Sequence, residues 1–483
     1  MTETNITPAL VSILLLSLVA TSGPAVGAAP GSNADDVTQR SGVDAESSVV
    51  ASVSGPDDTA LAEGKVEETV GDRATINVTI DRGESGQLIV GSADVGYRAV
   101  IGFDDDDYDG EVSLTMNTYL AGNHTGSGES QAWSAEADDD IENVNLTTAP
   151  LDEPIEPADY ELKVRDDGEL RDINLLTLSE PVVSSLTFET APGDQFGESR
   201  AEMNLTETDS VALDDVVVAN VHTQGVFGIL DAQPGEDDTE RLRSLLQSPN
   251  ASFTLERLGE TPNRDRPELD VDESFEDDAF HLISDPANDT LLITMDSEAL
   301  AFTSGRAKAR ADDRYEAEFE LDEDSQVISS DEQVKSTVQF TDRTVTVGPG
   351  EEGQLSLPPS SNASVNGTTT LAPGTRLSFK VQVNETFSQS RETVVQSNRT
   401  FVVPVNLSEA MPGANVSVSA YNYEAEARGV VQDPWSEPAE PTEPTTPLDE
   451  PPIATTSEPT LPDEPTPGTT TQTTTTETRS TTT

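Results

Sequence analysis

An aspartate-rich stretch, Asp104–Gly110, has the residue types and the spacing of a cation-binding loop. Asp105, Asp107 and Asp109 alternate with other residues and Gly110 follows them, which gives the pattern D-x-D-x-D-G. Alternate carboxylates and a turn-forming glycine can surround a hard cation with oxygen ligands. The sequence therefore predicts that Asp105, Asp107 and Asp109 bind Ca²⁺ or Mg²⁺, and it suggests no other cofactor. A solvated acidic turn is the competing interpretation.

Residues that could support other chemistry are scarce. The chain has no cysteine, and its three histidines, His124, His222 and His281, lack the spacing of a metal site. There is no G-x-S-x-G nucleophile motif, phosphate-binding glycine loop or dinucleotide fingerprint. Aromatic sugar platforms are also lacking, because the tryptophans number two, Trp133 and Trp435. We therefore expect no enzymatic activity.

Short runs of alternating apolar and polar residues predict β-strands around the acidic stretch. In 64–185 such runs recur between Gly/Asp turns at roughly 8–12 residues, as in a β-sandwich. Residues 186–342 are less regular and indicate a β-rich module with a short helix over Thr239–Gln247. Residues 343–432 have the length and strand density of an immunoglobulin-like sandwich. The predicted fold class is all-β, with tandem immunoglobulin-like β-sandwich modules.

N-glycosylation sequons are enriched in this sequence. Of the 19 asparagines after residue 28, 12 begin N-x-S/T, whereas roughly 4 are expected by chance. Asn77, Asn384, Asn406 and Asn415 share the polar side of alternating runs, so we expect them to face solvent. The predicted glycosylation sites are Asn77, Asn123, Asn145, Asn204, Asn250, Asn288, Asn362, Asn366, Asn384, Asn398, Asn406 and Asn415.

The N-terminal residues have the features of a secretory signal. An apolar run, Ala9–Ala20, precedes the small residues Val26, Gly27 and Ala28, which predicts a signal peptide over 1–28. Because no Lys or Arg precedes the run, an uncleaved N-terminal anchor is the alternative. Residues 29–63 are rich in Ser, Asp, Gly and Ala and predict a flexible leader.

The C-terminal residues 433–483 form a different compositional segment, rich in Thr, Pro and Glu. Of the last 15 residues, 11 are threonine. Dense proline prevents helix and sheet, and threonine beside proline is typical of an O-glycosylated stalk, so we predict a disordered stalk. An unglycosylated linker is the alternative. Because no apolar segment follows, we expect release, an N-terminal anchor, or a C-terminal anchor missing from this sequence.

The charge of the chain is extremely acidic. It has 26 Lys and Arg against 91 Asp and Glu, a formal net charge of −65. Nucleic acid is excluded as a partner, because phosphate binding requires clustered positive charge. Like charges strain a compact fold unless salt screens them, which favours adaptation to high salt. Intrinsic disorder is the alternative for such a composition, and the alternating runs argue against it.

Several motifs resemble those of known surface proteins. Four groups in the first half are similar to the first module of haloarchaeal surface-layer-type glycoproteins: Gly71–Ile76, Gly91–Tyr97, Asn117–Gly122 and Pro150–Leu151 with Ala158–Leu162. Two further groups resemble the final segment of proteins with a BGTF surface domain: Gly367–Thr375 and Met411–Asn415. The resemblance implies an exported surface role and supplies no catalytic residues. Family members usually end in a PGF sorting tail, whereas this sequence ends at Thr483.

Together these features predict a secreted cell-surface glycoprotein of a halophile, with a surface-layer-like structural role or an adhesive role. A released extracellular binding protein for a sugar, a metal or a cell-surface partner is the alternative function. The expected partners are other cell-envelope glycoproteins or further copies of the chain, with membrane contact only through an anchor. The expected location is extracellular, at the cell surface.

The charge imbalance generates a prediction about folding. In a salt titration followed by circular dichroism, we expect the β-sheet signal to strengthen as NaCl rises into the molar range. The physical reason is that the Debye length falls from about 10 Å at 0.1 M to about 3 Å at 1 M, which weakens repulsion between carboxylates. An unordered spectrum in molar salt would contradict the expectation of a folded, salt-adapted protein.

Overall fold

A computed structural model shows three consecutive β-sandwiches, each built from two sheets. We call them the first module (60–179), the second module (182–341) and the third module (345–431). The residues that the structure describes are 59–123, 130–136, 138–259, 266–303, 308–349, 354–384 and 387–433. The predicted signal peptide, the leader up to residue 58, the stalk beyond residue 433 and His124 lie outside these residues.

The described part of the first module forms ten strands. In chain order they are β1 (Ala60–Leu61), β2 (Val66–Thr69), β3 (Arg73–Thr79), β4 (Ser85–Ser92), β5 (Tyr97–Asp104), β6 (Glu111–Asn117), β7 (Trp133–Ala135), β8 (Asp140–Leu146), β9 (Asp159–Asp166) and β10 (Glu169–Ser179). One sheet has the order β1-β3-β6-β7, and the other has the order β2-β10-β9-β4-β5-β8.

The core of the first module follows the alternation that predicted its strands. Ala74, Ile76 and Val78 of β3 are buried, and the residues between them are not. Leu114 of β6 continues the same apolar layer from the neighbouring strand. Trp133 of β7 is also fully buried. Period-two alternation thus places one face of this sheet against the core and the other face in solvent.

The second module has nine strands and three short helices among the described residues. The strands are β11 (Val182–Ala191), β12 (Thr206–Glu207), β13 (Ser210–Ala212), β14 (Val216–Gln224), β15 (Ala251–Arg257), β16 (Phe280–Asp285), β17 (Thr290–Asp296), β18 (Arg314–Leu321) and β19 (Glu332–Thr341). The helices are α1 (Phe227–Ala232), α2 (Asp238–Gln247) and α3 (Val271–Glu276). The sheets have the orders β12-β11-β14-β17-β16 and β13-β19-β18-β15.

The central strands of the second module are buried on both faces. Val217 and Val221 of β14 pack into the main core shared with the first module, whereas Val216 and Val218 join a smaller cluster on the opposite face. Met203, from the connection before β12, contributes to that smaller cluster. Both faces therefore require apolar residues, which removes the alternation and explains why this region looked irregular in sequence.

The helix predicted over Thr239–Gln247 is confirmed as α2. Its N-cap Asp237 accepts a hydrogen bond from the backbone N–H of Glu240, and Leu242 and Leu245 are buried. Asp and Glu in the first turn also favour a helix, because they complement the positive end of its dipole. The sequence did not predict α1 or α3, which have six residues each and too few turns for a visible period.

The third module has eight strands among the described residues. They are β20 (Val345–Val347), β21 (Leu355–Leu357), β22 (Ala363–Thr369), β23 (Arg376–Val383), β24 (Phe387–Val394), β25 (Thr400–Val405), β26 (Asn415–Ala420) and β27 (Glu426–Val431). The sheets have the orders β20-β22-β25 and β21-β27-β26-β23-β24. Phe379 of β23 and Phe401 of β25 stack across the core with ring centroids 5.1 Å apart.

All three modules share one topological plan. In each, a short early strand pairs in parallel with the last strand, namely β2 with β10, β13 with β19, and β21 with β27. The other pairings between these strands are antiparallel, and each module's two sheets form a sandwich of immunoglobulin-like type. The predicted fold class of tandem immunoglobulin-like β-sandwiches is therefore confirmed.

The strands correct two of the predicted boundaries. β1 lies inside the predicted leader 29–63, where Ala60 pairs with Thr79. The sequence did not predict this strand, because two residues are too few to show an alternating pattern. The predicted division at 185/186 falls inside β11, which starts at Val182. The change from one module to the next occurs instead at Glu180 and Pro181, where strand pairing is interrupted.

Among the described residues, no helix has the length and hydropathy needed to cross a membrane.

Candidate metal centre and inter-module contacts

Three carboxylates converge at one end of the first module. They belong to Asp105 and Asp107, in the loop between β5 and β6, and to Asp139, in the connection between β7 and β8. One oxygen from each lies within 4.8 Å of the others. Asp105 and Asp139 are 1% and 6% exposed, and Asp107 is exposed. The structure thus brings together two of the predicted ligands and one residue that the local motif did not reveal.

Asp109, the third predicted ligand, lies outside this cluster. Its Oδ1 accepts a hydrogen bond of 2.7 Å from the backbone N–H of Glu111, which stabilises the start of β6. Asp107 Oδ1 similarly accepts a bond from the N–H of Asp109. Positive φ angles at Tyr108 and Gly110 turn the chain here and direct Asp109 toward the strand. Asp109 as a ligand therefore stays a prediction, and the residue grouped with Asp105 and Asp107 is Asp139.

Asp105 holds two segments of the chain at the cluster. Its Oδ2 accepts hydrogen bonds from the backbone N–H groups of Gly83, 2.8 Å away, and Gly110, 3.1 Å away. Its own N–H donates to the carbonyl of Glu84. Within the described part of the chain, Asp105 Oδ1 has no hydrogen-bond partner, and neither does Asp139 Oδ1. Half of the Asp105 carboxylate is thus bound to backbone, and the other half faces the acidic cluster.

The field at the cluster is strongly negative. Burial raises the pKa of Asp139 to about 6, with added repulsion from Asp107 and Asp105, and a hydrogen bond from the N–H of Asp106 opposes the shift. Burial also raises the pKa of neighbouring Asp104, together with the nearby carboxylates. Neighbouring carboxylates raise each other's pKa by repulsion, and a cation bound among them would neutralise that negative charge.

A second acidic group, Glu320, Asp322 and Asp331, lies in the second module. Asp322 and Asp331 each accept a backbone hydrogen bond, from Asp324 and Glu323 respectively. None of its carboxylate oxygens is buried without a partner, so it has the properties of a solvated acidic surface.

The other residues considered for chemistry do not form a site in the described part of the chain. His222, on β14, is exposed, and His281, on β16, lies 3.4 Å from the hydroxyl of Thr239. Neither histidine belongs to a potential metal group among the described residues. Trp133 is buried in the first module and is not available as a sugar-binding surface.

The opposite end of the first module contacts the second module. β3 runs from Arg73 to Thr79 and is about 23 Å long. The acidic cluster lies beyond its Thr79 end, where the N–H of Ile80 donates a hydrogen bond to the carbonyl of Gly110. Asp72, just before β3, is 5% exposed. Its carboxylate accepts hydrogen bonds from the backbone N–H groups of Gly225 and Phe227, at the start of α1.

Glycines allow the two backbones to approach closely at this junction. The carbonyl of Gly71 accepts hydrogen bonds from the N–H groups of Gly228, at 2.7 Å, and Ile229, at 3.2 Å. A Cβ at Gly71 would lie 2.1 Å from the carbonyl oxygen of Gly225, and a Cβ at Gly228 would lie 2.7 Å from the carbonyl oxygen of Gly71. Side chains at these positions would separate the modules.

Side chains close the remaining sides of the first junction. The guanidinium of Arg73 binds the carboxylate of Asp231 through two of its nitrogen atoms. Asn117 donates from Nδ2 to the carbonyl of Gly228, 2.9 Å away. Buried Phe227 lies in one continuous apolar cluster with residues of both modules. Together with a linker of two residues, Glu180 and Pro181, these contacts restrict relative motion of the modules.

A second buried aspartate lies between the second and third modules. Asp215 is 1% exposed, and its Oδ2 accepts a hydrogen bond of 2.6 Å from the backbone N–H of Ala372 in the third module. Its Oδ1 forms an ion pair of 2.9 Å with Arg343, in the linker before β20. Arg399, from the third module, donates to the hydroxyl of Thr208. This junction therefore repeats the arrangement of the first one with different residues.

The structure places the twelve predicted acceptor asparagines at accessible positions. Ten are exposed, and Asn77 and Asn250 are half-buried. By contrast, Asn117 and Asn220 are buried, and neither begins a sequon. The outward orientation that strand phase predicted is confirmed for Asn384, Asn406 and Asn415. The described chain is thus a tandem β-sandwich protein whose sequons are reachable in all three modules.

Several known proteins are similar to this chain in sequence. Residues 51–167 match a family described as a domain of unknown function, DUF7827. A cell surface glycoprotein of Haloferax gibbonsii is 29% identical over 389 residues, which is 76% of this chain and 43% of the relative. Cell surface glycoprotein 2 of Haloarcula hispanica is 25% identical over 429 residues, 80% of this chain and 46% of the relative. These relatives confirm the predicted kinship with haloarchaeal cell surface glycoproteins and the predicted location at the cell surface.

The chain spans less than half the length of the curated relatives it matches. Among solved structures, a tetra-tandem repeat from the extending region of a large adhesion protein aligns over 77% of this chain and 74% of its own, with 11% identity and a TM-score of 0.17.

The close backbone approach at the first junction gives a stability prediction. We expect Gly71→Ala to lower the free energy of unfolding by at least about 2 kcal/mol more than Gly168→Ala does. Both glycines have positive φ, which costs an L-residue about 1–2 kcal/mol, but Gly168 has no atom within 4 Å of a new Cβ, whereas Gly71 faces Gly225. Denaturant unfolding measures both variants. Equal losses would mean that the contact contributes nothing beyond backbone strain.

The burial of Asp72 gives a pH prediction. Burial raises its pKa to about 7, although hydrogen bonds from Gly225 and Phe227 oppose the shift. The folded chain therefore retains this proton between its unfolded pKa near 3.8 and about 7, so its contribution to stability is full below pH 4 and lost as pH rises to 7. Relative to Asp72→Asn, the wild type should lose up to about 1.4 kcal/mol per pH unit across that window.

Thermal unfolding of both proteins from pH 4 to 8, in the same salt, measures this difference. Asp94→Asn, at an exposed aspartate, is the matched control and should follow the wild type at every pH. If the stability difference between wild type and Asp72→Asn stays constant with pH, the burial of a titrating carboxylate at the junction is refuted.

Proposed function

We propose that this chain is a secreted, N-glycosylated surface protein of a halophile that has a structural, surface-layer-like or adhesive role. The observation that carries the proposal is the construction of the two junctions. At the first, buried Asp72 accepts two backbone hydrogen bonds from the second module, and at the second, buried Asp215 accepts one from the third module. The linkers have two and three residues. Such contacts suit a protein that must hold consecutive modules at fixed positions outside the cell.

The distribution of sequons supports the glycosylated part of the proposal. Ten exposed and two half-buried acceptor asparagines are spread over all three modules, and none of these twelve described asparagines is buried. An oligosaccharide attached to a strand's outward face leaves the core and the backbone pairing undisturbed, because alternate side chains point to opposite faces. Glycans at these positions would cover the outer faces of the sheets and leave the two junctions intact.

The surface charge supports the proposed adaptation to salt. The chain carries a net charge of −65, and its described ion pairs are few relative to its 91 acidic residues. Because acidic residues outnumber Lys and Arg by more than three to one, most carboxylates have no basic residue available to them, and concentrated salt would screen their repulsion. The partners proposed for such a surface are other cell-envelope glycoproteins or further copies of this chain.

Fractionation of the native cells tests the proposal. We expect the protein in the envelope fraction after a mild salt wash. Release by detergent would indicate anchoring in the membrane, and release by chelator would indicate assembly that depends on divalent cations. Glycopeptide mapping of the same material should find sugar on exposed sequons such as Asn398 and none on Asn422, which is exposed but begins no sequon. Recovery only from the medium would favour a released binding protein, and sugar-free protein in the cytoplasm would refute the proposal.

A further inference from the structure

Two buried carboxylate oxygens in the first module have no hydrogen-bond partner among the residues that the structure describes. They are Oδ1 of Asp105 and Oδ1 of Asp139, and both residues are more than nine-tenths buried. An unpaired charged oxygen removed from water costs far more free energy than a hydrogen-bonded one. Two such atoms in the same cluster indicate that a positively charged group belongs between them.

The spacing of the cluster fits a single ion. One oxygen each from Asp105, Asp107 and Asp139 lies within 4.8 Å of the others. Calcium holds its oxygen ligands at about 2.3–2.6 Å, so two ligands on opposite sides of the ion are separated by about 5 Å. Because Asp107 is exposed, water molecules could complete the coordination from the solvent side.

No protein cation fills this position in the described part of the chain. None of the ion pairs formed there by Lys or Arg includes Asp105, Asp107 or Asp139. Arg82 is the basic residue to consider, because it lies beside Gly110, but its side chain is exposed and pairs with none of the three carboxylates. Where the three carboxylates are ionised, no basic side chain of the described residues is paired with them, and a cation from solution can take that place.

We propose that a divalent, oxygen-liganded cation of the Ca²⁺ type binds between Asp105, Asp107 and Asp139. The ligands come from two connections of the first module, and Asp105 also holds the β3–β4 turn through the N–H of Gly83. The bound ion ties three connections together at the end of the sandwich opposite the second module. Ca²⁺ is favoured over Mg²⁺, because loop ligands of this kind suit flexible coordination better than a strict octahedron.

Calorimetric titration of the chelator-treated full chain with Ca²⁺, in fixed NaCl, tests the proposal. We expect Asp139→Asn to weaken binding at least tenfold, because it removes a buried ligand charge from the centre. Asp109→Asn is the matched control: it removes the same charge from the same end of the module and should change the affinity by less than about threefold. Equal losses of Ca²⁺ affinity in both variants would mean that only the general negative charge attracts the ion, and this result would overturn the site.

Thermal unfolding gives a second readout that does not depend on detecting heats. In chelator, Asp139→Asn should unfold at a higher temperature than the wild type, because an unpaired buried charge is gone. In excess Ca²⁺ the order should reverse, since only the wild type gains the stabilisation of a bound ion. An unchanged order in the two conditions contradicts the proposal.

Two further outcomes are decisive. If the wild type binds no Ca²⁺ and Arg82→Gln creates binding, then Arg82 neutralises the cluster in solution and the ion site is refuted. If Mg²⁺ in the same titration binds more tightly than Ca²⁺, the choice of ion is wrong.

Discussion

Hydrogen bonds from backbone N–H groups to buried aspartates hold this chain together where separate segments meet. Asp72 joins the first module to the second, and Asp215 joins the second to the third. Within the first module, Asp105 similarly accepts hydrogen bonds from Gly83 in the β3–β4 turn and from Gly110 in the β5–β6 loop. These bonds give the buried carboxyl oxygens partners and offset part of the cost of removing them from water.

This arrangement suits a sequence with few basic residues. With 26 Lys and Arg against 91 acids, most carboxylates have no basic partner available, and exposed ion pairs contribute little in any case. The arginines that do pair with acids at low exposure include Arg73 and Arg343, one at each junction. Backbone N–H donors and a few arginines at the junctions thereby join the modules of this highly acidic chain.

Local pattern predicted the outer modules better than the middle one. Strands such as β3 and β23 have one buried and one solvated face, so their alternation is visible in sequence. β14 and β17 are covered on both faces, and a continuous apolar run lacks that period. The short helix α1 was missed because its six residues make too few turns for a visible period, although its Phe227, Ile229 and Leu230 are buried in the cluster that spans both modules.

The sequence by itself determined the all-β class, the strand phase that turns sequons outward, the acidic character and the region of the candidate ion site, because these depend on neighbouring residues and composition. Only the tertiary structure decided which carboxylates converge. Asp139 lies 34 residues beyond Asp105 and reaches it because β8 pairs with β5, with Asp140 opposite Asp104. Asp72 and Asp215 likewise look like ordinary surface acids until folding brings the backbone of another module against them.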